Sequence, residues 1–431
     1  MNSFDYFELV FNNWVEYLVS FLMVMLVYYF VYRRYFISIL DPFSFASFFS
    51  AMAVTVPVFL FLIDEISTRI FLSFLVTQLS FFIGFRIFSP INMERYRFRE
   101  KKEVNDQEIR FIKWLFIIIG VSNMLMQILS YKLFGIPMFA EKSRLAIYGE
   151  SGGINNILKR VLDITYPFHI FLTIFFVYFK NKKLFLKLFT TFSVLMILIF
   201  SIFTGSKSAF MTFGIAFFVY SLYSIKWGDW SLFLVLKKFL LKFAIVVFLI
   251  AIVVIYITED SDNPLVFLLF RLGQSGDVYY MSYPNGIIDK IPSVNWFIGL
   301  FASPLSLLGI IPRSSIPEPM GYFIMQYHYP TVEFKGPNAR LNVFSYVYFG
   351  IIYSPIYCFI IGVIVSFFRN RLFNSLPSNV LGCIFYFLFL NAALKLEPDF
   401  HSALADFINI IVILPFFIFI SYYLSLRKTD G

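Results

Sequence analysis

Residues 42–88 read PFSFASFFSAMAVTVPVFLFLIDEISTRIFLSFLVTQLSFFIGFRIF. Two apolar windows, 42–63 and 66–88, follow one another with little more than Asp64-Glu65 between them. Each is long enough to cross about 30 Å of hydrocarbon as a helix, so the stretch reads as two consecutive membrane spans joined by a tight turn.

Working outward, further apolar windows lie near 11–32, 111–134, 161–179, 184–204, 207–225, 239–258, 342–368, 380–396 and 404–426, which makes eleven predicted spans. The composition agrees: 59% of residues are hydrophobic and 14% charged, against about 25% charged in soluble proteins, and the mean hydropathy is +0.78. The expectation is an all-α polytopic integral membrane protein forming one domain over 1–431. The net charge of +9 is explained by basic connections between spans, so nucleic acid is not expected as a partner. Cys358 and Cys383 both fall inside predicted spans, which leaves neither a disulfide framework nor a cysteine zinc site.

The charges also orient the chain. Asp5, Glu8 and Glu16 precede the first span and Arg33-Arg34 follow it, the reverse of a cleavable signal peptide. With the N-terminus outside, Arg33-Arg34, the 86–113 cluster, Lys180/Lys182/Lys183, Lys226/Lys237/Lys238, Arg369/Arg371 and Arg427/Lys428 all fall on inner connections. That is the positive-inside pattern, and it predicts a cytoplasmic C-terminus.

Against this pattern, the long segment 259–341 holds Arg271, Arg313, Lys335 and Arg340 on the outer side. A basic outer segment calls for an anionic ligand. Asn263-Pro264 reads as a capped helix start, and Pro304 and Pro312 break the apolar run after Trp296, so short interfacial or re-entrant helices are expected here. The 135–160 connection adds Lys142, Arg144, Lys159 and Arg160, and the turn TGSKSAF places Lys207 at a helix start that favours an anion. Glu397, Asp399, His401 and His328 are the outer groups able to act as a base, although Asp399 or Ser402 can equally cap the last span. His169 lies within a span and reads as a hydrogen-bonded packing residue. Tyr279, Tyr280, Tyr283, Trp296, Tyr322, Tyr327 and Tyr329 offer faces for sugar rings, or anchors at the membrane surface. No zinc-hydrolase, serine-esterase or dinucleotide motif is present.

With GIPMFAEKSRLAIYGESGG after the fourth span, TGSKSAF between two later spans, a large segment before the last three spans and PNARLNVFSYVYFG leading into the ninth, the chain resembles the O-antigen, or oligosaccharide repeat-unit, polymerases of the Wzy type. Arg340 to Gly350 resembles the R-x-n-G pattern of that family, whereas Arg144 has its glycines at shorter spacing, at Gly152 and Gly153.

The resemblance implies a GT-C-like glycosyltransferase of the bacterial inner membrane, working on its outer face. The donor would be a growing glycan on undecaprenyl pyrophosphate and the acceptor a lipid-linked repeat unit. An activated donor needs no cofactor and no metal. Arg271 and Arg340, then Arg144, Arg160, Lys207 and Arg313, are the expected pyrophosphate and glycan contacts with Tyr279 and Tyr280. Membrane lipids, a chain-length regulator and a flippase are the expected partners. An O-antigen ligase is the nearest alternative, and a lipid-linked oligosaccharide flippase or transporter is the alternative of a different class.

Overall fold

The computed structural model describes residues 1–38, 41–96, 105–139, 154–179, 183–204, 207–239, 273–292, 295–307, 309–312, 315–330 and 336–426, with isolated positions between 242 and 252. Among these, regular structure is helical throughout. The helices used below are α1 (Ser3–Asn12), α2 (Trp14–Tyr32), α3 (Pro42–Leu62), α4 (Thr68–Phe85), α5 (Asp106–Phe134), α6 (Ile154–Tyr178), α7 (Leu184–Phe203), α8 (Lys207–Ser224), α9 (Asp277–Ser282), α10 (Trp296–Leu307), α11 (Met320–His328), α12 (Leu341–Ser366), α13 (Val380–Leu394) and α14 (Phe400–Leu426).

Eight helical stretches among the described residues are long and apolar enough to cross a membrane, and each falls on one of the predicted windows. Window 380–396 falls on the shorter apolar helix α13 and window 207–225 on α8, whereas most of 239–258 lies outside the described residues. Local chemistry sets the starts. Asp41 caps α3, with Pro42 in the first turn, and its Oδ1 accepts from Phe43 N at 3.0 Å. Ser67 and Asn105 cap α4 and α5 in the same way.

The chain packs as two compact units. The first comprises Met1–Ile91, Leu265–Ser375 and Leu390–Ala405, and the second comprises Asn92–Pro264, Leu376–Phe389 and Asp406–Gly431.

In the first unit, the predicted span 342–368 is not one crossing helix. Thirteen residues along a straight helix cover about 20 Å, yet Cys358 Sγ lies 3.3 Å from Ser345 Oγ and the Phe344 and Tyr357 rings are 6.1 Å apart. α12 is therefore a helical hairpin that reverses at Gly350, whose φ of 65° and ψ of −177° suit glycine alone. The second limb continues through a π-helical turn, Phe367–Arg371, to Ser375, and is long enough by itself to cross.

The first limb starts well inside the unit. Asn342 Nδ2 donates to Thr77 Oγ1 at 2.9 Å, and Thr77 sits at the midpoint of α4. α9 reaches a similar depth: Gly276, just before it, packs so closely on α3 that a Cβ there would lie 2.5 Å from Val56 Cγ2 and 2.7 Å from the Ala53 carbonyl oxygen. Part of the 259–341 segment thus penetrates the helical body, which favours the re-entrant form of the expectation. α1 closes over α9 by stacking Tyr6 on Tyr280 at 4.2 Å.

In the second unit, α5, α6 and α7 pack around Phe116, Phe176 and Phe189, and Phe171 stacks on Phe387 of α13. His169 is buried with Nδ1 3.2 Å from Asn123 Nδ2, a packing histidine as expected. Glu108 of α5 accepts from Val380 N at 3.2 Å and so caps α13. Two residues assigned to basic inner connections are buried. Lys226 donates to the Leu376 carbonyl at 2.5 Å within the second unit, and in the first unit Arg369 pairs with Asp41.

Candidate functional site

Three segments far apart in sequence meet in the first unit around Arg340. The residue stands at the N-cap of the first limb of α12, in extended backbone, so its side chain leaves the helix start instead of lying along it. Nη1 donates to Glu397 Oε1 at 2.8 Å, and Nε donates to the Ser275 carbonyl at 3.1 Å. Glu397 belongs to the turn between α13 and α14, and its own carbonyl accepts from Leu341 N at 2.9 Å, which ties that turn to the limb. The side chains of the pair are 9% and 11% exposed. Ionised groups in such surroundings persist only when paired and hydrogen-bonded, as these are. Among the described residues the contacts occupy Nε, Nη1 and one carboxylate oxygen, which leaves Nη2 and Oε2 for another group.

A chain of neutral hydrogen bonds runs on from the same place. Tyr279 OH donates to Asn342 Oδ1 at 2.8 Å, and Asn342 Nδ2 donates to Thr77 Oγ1 and, at 3.4 Å, to Gln78 Oε1. Gln78 Nε2 donates to Tyr28 OH at 3.1 Å, and Tyr28 OH bonds Ser50 Oγ at 2.7 Å. This network joins α2, α3, α4, α9 and α12 at buried positions, where each unmade bond would cost about 1–3 kcal/mol. It fixes the limb that carries Arg340.

The remaining predicted residues separate. Tyr279 and Tyr280 are fully buried, so they are packing and hydrogen-bonding residues, a correction to their expected role as faces for sugar rings. The six-residue α9 turns all of Val278–Ser282 inward. Of the aromatic set, Trp296 and Tyr327 remain exposed, at 50% and 46%. Asp399 is the cap of α14, its Oδ1 accepting from Ser402 N at 3.1 Å. His401 is exposed, with its ring edge against Phe344. His328 is half-buried, and its Nε2 donates to the Met281 carbonyl at 2.8 Å. Burial pulls the pKa of His328 below the usual histidine value, against the Met281 carbonyl, which works the other way. Glu397 is thus the only one of the four expected bases that is ion-paired to an expected arginine, among the described residues.

Arg160 belongs to the second unit, where its Nη1 donates to Asn409 Oδ1 at 3.2 Å. Lys207 opens α8, and its side chain lies outside the described residues, as do Arg144, Arg271 and Arg313 altogether. Among the described residues, no group of three His, Cys, Asp or Glu is placed to hold a metal ion.

Sequence reasoning did not find Asn342, Gln78, Thr77 or Tyr28. The signal was there in part, because Thr77-Gln78 is a polar pair in the middle of an apolar span. It also missed Asp41, which pairs with Arg369 in full burial.

Fold and site together define a multi-pass, all-helical membrane protein with a charged pair held inside its helical body. No known family model matches the chain, and no curated protein or solved structure matches it.

Proposed function

We propose that the chain is a membrane glycosyltransferase that polymerises lipid-linked oligosaccharide repeat units at the outer face of a bacterial inner membrane. The observation that carries the proposal is the Arg340–Glu397 pair: a permanent cation whose Nη2, beside a carboxylate whose Oε2, has no partner among the described residues, in surroundings that exclude most water. These are the two groups that transfer from a pyrophosphate donor requires.

In the proposed reaction, a hydroxyl oxygen of the acceptor repeat unit attacks the anomeric carbon of the donor glycan. The bond from that carbon to the pyrophosphate oxygen breaks, and the electron pair leaves with undecaprenyl pyrophosphate. Arg340 stabilises the charge gathering on the phosphate oxygens through its positive charge and its Nη2 N–H groups. Glu397 takes the acceptor proton. Direct displacement inverts the anomeric centre. The donor is already activated, so neither nucleotide nor redox cofactor enters. A flippase supplying the lipid-linked units and a regulator of chain length are the partners this activity implies, and a ligase transferring the same donor glycan to a lipid acceptor is its nearest variant.

A second reading, lipid-linked oligosaccharide transport, has an observation of its own. Helical limbs that end at mid-height around a charged pair resemble the discontinuous helices of transporters, and α12 and α9 end in this way.

One experiment separates these readings. The chain is expressed in the host strain after deletion of its own gene and of any ligase, and lipid-linked glycans are resolved by size. A ladder of polymer that vanishes in Glu397→Gln at equal protein level supports polymerisation. Single repeat units reaching the outer face with no ladder support transport.

A further inference from the structure

A polar patch lies in the first unit at the other end of the limb that carries Arg340, and its centre is Tyr346. From Arg340 to Tyr346 the helix rises about 9 Å. The Tyr346 phenol donates to Asp289 Oδ1 at 2.7 Å and accepts from Arg69 Nη2 at 3.4 Å. Asn342 is bonded at the midpoint of α4 and Tyr346 at its first turn, so the limb runs from the buried pair towards the predicted outer end of α4. A turn after α9 delivers the carboxylate. Asn285 and Gly286 take left-handed backbone, with φ of 58° and 62°, and the chain then buries Ile287 and Ile288 while exposing Asp289 and Lys290. Lys290 Nζ donates to Tyr327 OH at 3.1 Å and lies 5.3 Å from the centre of that half-exposed ring.

Two features set the patch apart from ordinary surface charge. Arg69 stands in the first turn of α4, where the helix dipole disfavours a cation, and Arg69 and Lys290 are both cations on the predicted outer side. Arg69 and Asp289 are exposed and opposite in charge, yet among the described residues they make no direct ion pair, because the Tyr346 hydroxyl stands between them. Among the described residues, Arg69 Nη1 and Asp289 Oδ2 therefore keep their hydrogen-bonding capacity for another group.

The mixture of groups narrows the ligand. An anion would meet the Asp289 carboxylate as well as the cations. A sugar carries no charge to be repelled: its hydroxyls donate to a carboxylate and accept from a guanidinium or an ammonium, and its ring packs on an aromatic face. We propose that Arg69, Asp289, Lys290 and Tyr327 form an open carbohydrate subsite at the outer end of the first limb, with Tyr346 positioning the guanidinium and the carboxylate on either side of it. The proposal rests on the glycan-handling reading above and deepens it: a glycan whose pyrophosphate lies at Arg340 runs outward along the limb to this patch.

The test titrates the full chain in lipid nanodiscs with two probes. One is the free oligosaccharide released by mild acid from lipid-linked repeat units of the host strain, and the other is undecaprenyl pyrophosphate without sugar. Asp289→Ala and Arg69→Ala open the Tyr346 bridge, whereas Lys290→Ala leaves it intact. Each variant should bind the oligosaccharide about tenfold more weakly, the loss of roughly one charge-assisted hydrogen bond to a ligand. Undecaprenyl pyrophosphate binding and the thermal midpoint should stay at wild-type values, since exposed charges add little to stability. Oligosaccharide binding equal to wild type in all three variants would make the patch a clasp between α4, the turn and the limb, and would sink the subsite while leaving the glycan reading standing. A wild-type chain that binds neither probe would overturn the glycan reading and the subsite together.

Discussion

The two ends of one helical hairpin each hold an arginine in an ion pair, and the two pairs are built differently. At the start of α12, Arg340 meets Glu397 with about a tenth of each side chain still exposed and with hydrogen-bonding atoms to spare. Beyond its second limb, Arg369 meets Asp41 with no exposure on either side. Arg369 also reaches the Tyr35 carbonyl and lies over the Phe43 ring, while Asp41 is committed to capping α3. A sealed pair whose carboxylate already caps a helix is a strut. A pair that keeps some access and whose carboxylate caps no helix is a site. The difference teaches that burial of charge alone does not mark function in a membrane protein; whether a ligand can still reach the pair does.

The largest effect expected from breaking this contrast is on activity. Glu397→Gln and Arg340→Lys keep the size and a hydrogen-bonding group and, for Lys, the charge, so each costs less than a truncation. Glu397→Gln leaves Arg340 without its counterion and is compared at equal folded yield. Each should cut polymer formation by about 100-fold or more, as expected for losing a base or a charge-assisted phosphate contact. Lipid-linked glycan ladders at matched protein level measure this. Wild-type ladders from both variants would reduce the site to a second strut.

At the other end the loss should be of stability. Arg369→Met leaves Asp41 buried without its partner, a change expected to cost about 3–5 kcal/mol. Thermal unfolding in detergent should show a lower midpoint, and the double variant Asp41→Asn/Arg369→Met should recover most of it. An Arg369→Met protein of normal stability but without activity would invert the comparison and make Arg369 the functional cation.

Sequence made much of this fold legible because apolar length is a strong signal, and windows such as 42–63 and 66–88 needed nothing else. It failed where the same signal has two structural solutions. The limbs of α12 are both apolar, so 342–368 reads as one span, and Gly350 with Pro355 gave the only hints of a reversal. Arg340 and Glu397 were each singled out for their residue type, but nothing in a linear reading pairs positions 57 residues apart. DVYYMS looked like an interfacial aromatic patch because a six-residue helix is too short to show a face, and the surrounding helices buried it. Arg369 resembled a topology signal because spacing cannot distinguish a solvated cation from one buried against a helix cap.

The reversal itself can be strained. Gly350→Ala forces a side chain into backbone space that is essentially reserved for glycine, at a cost of about 1–3 kcal/mol. Arg340 is anchored through the limb that this strain moves, whereas Arg369 follows the crossing limb. The variant should therefore lose activity more than the modest drop in its thermal midpoint explains. Loss of stability alone, with the ladder intact, would show that the hairpin does not position the site.

The smallest energetic effect gives the sharpest geometric answer. Ser345 lies on the first limb and Cys358 on the second, with Oγ and Sγ 3.3 Å apart. In a continuous helix these positions would be about 20 Å apart, beyond the reach of any disulfide. Ser345→Cys is nearly isosteric and should change stability by about 1 kcal/mol, since it weakens the hydrogen bond that Ser345 Oγ donates to the Asn342 carbonyl and replaces the one from Cys358 by a contact between sulfurs. On mild oxidation it should nevertheless form a disulfide with Cys358, detected by mass as a linked peptide pair, while Ser366→Cys should leave both thiols free. Failure of residue 345 to link would mean that α12 crosses as one rod. Arg340 would then sit far from the midpoint of α4, outside the water-poor setting on which its difference from Arg369 depends.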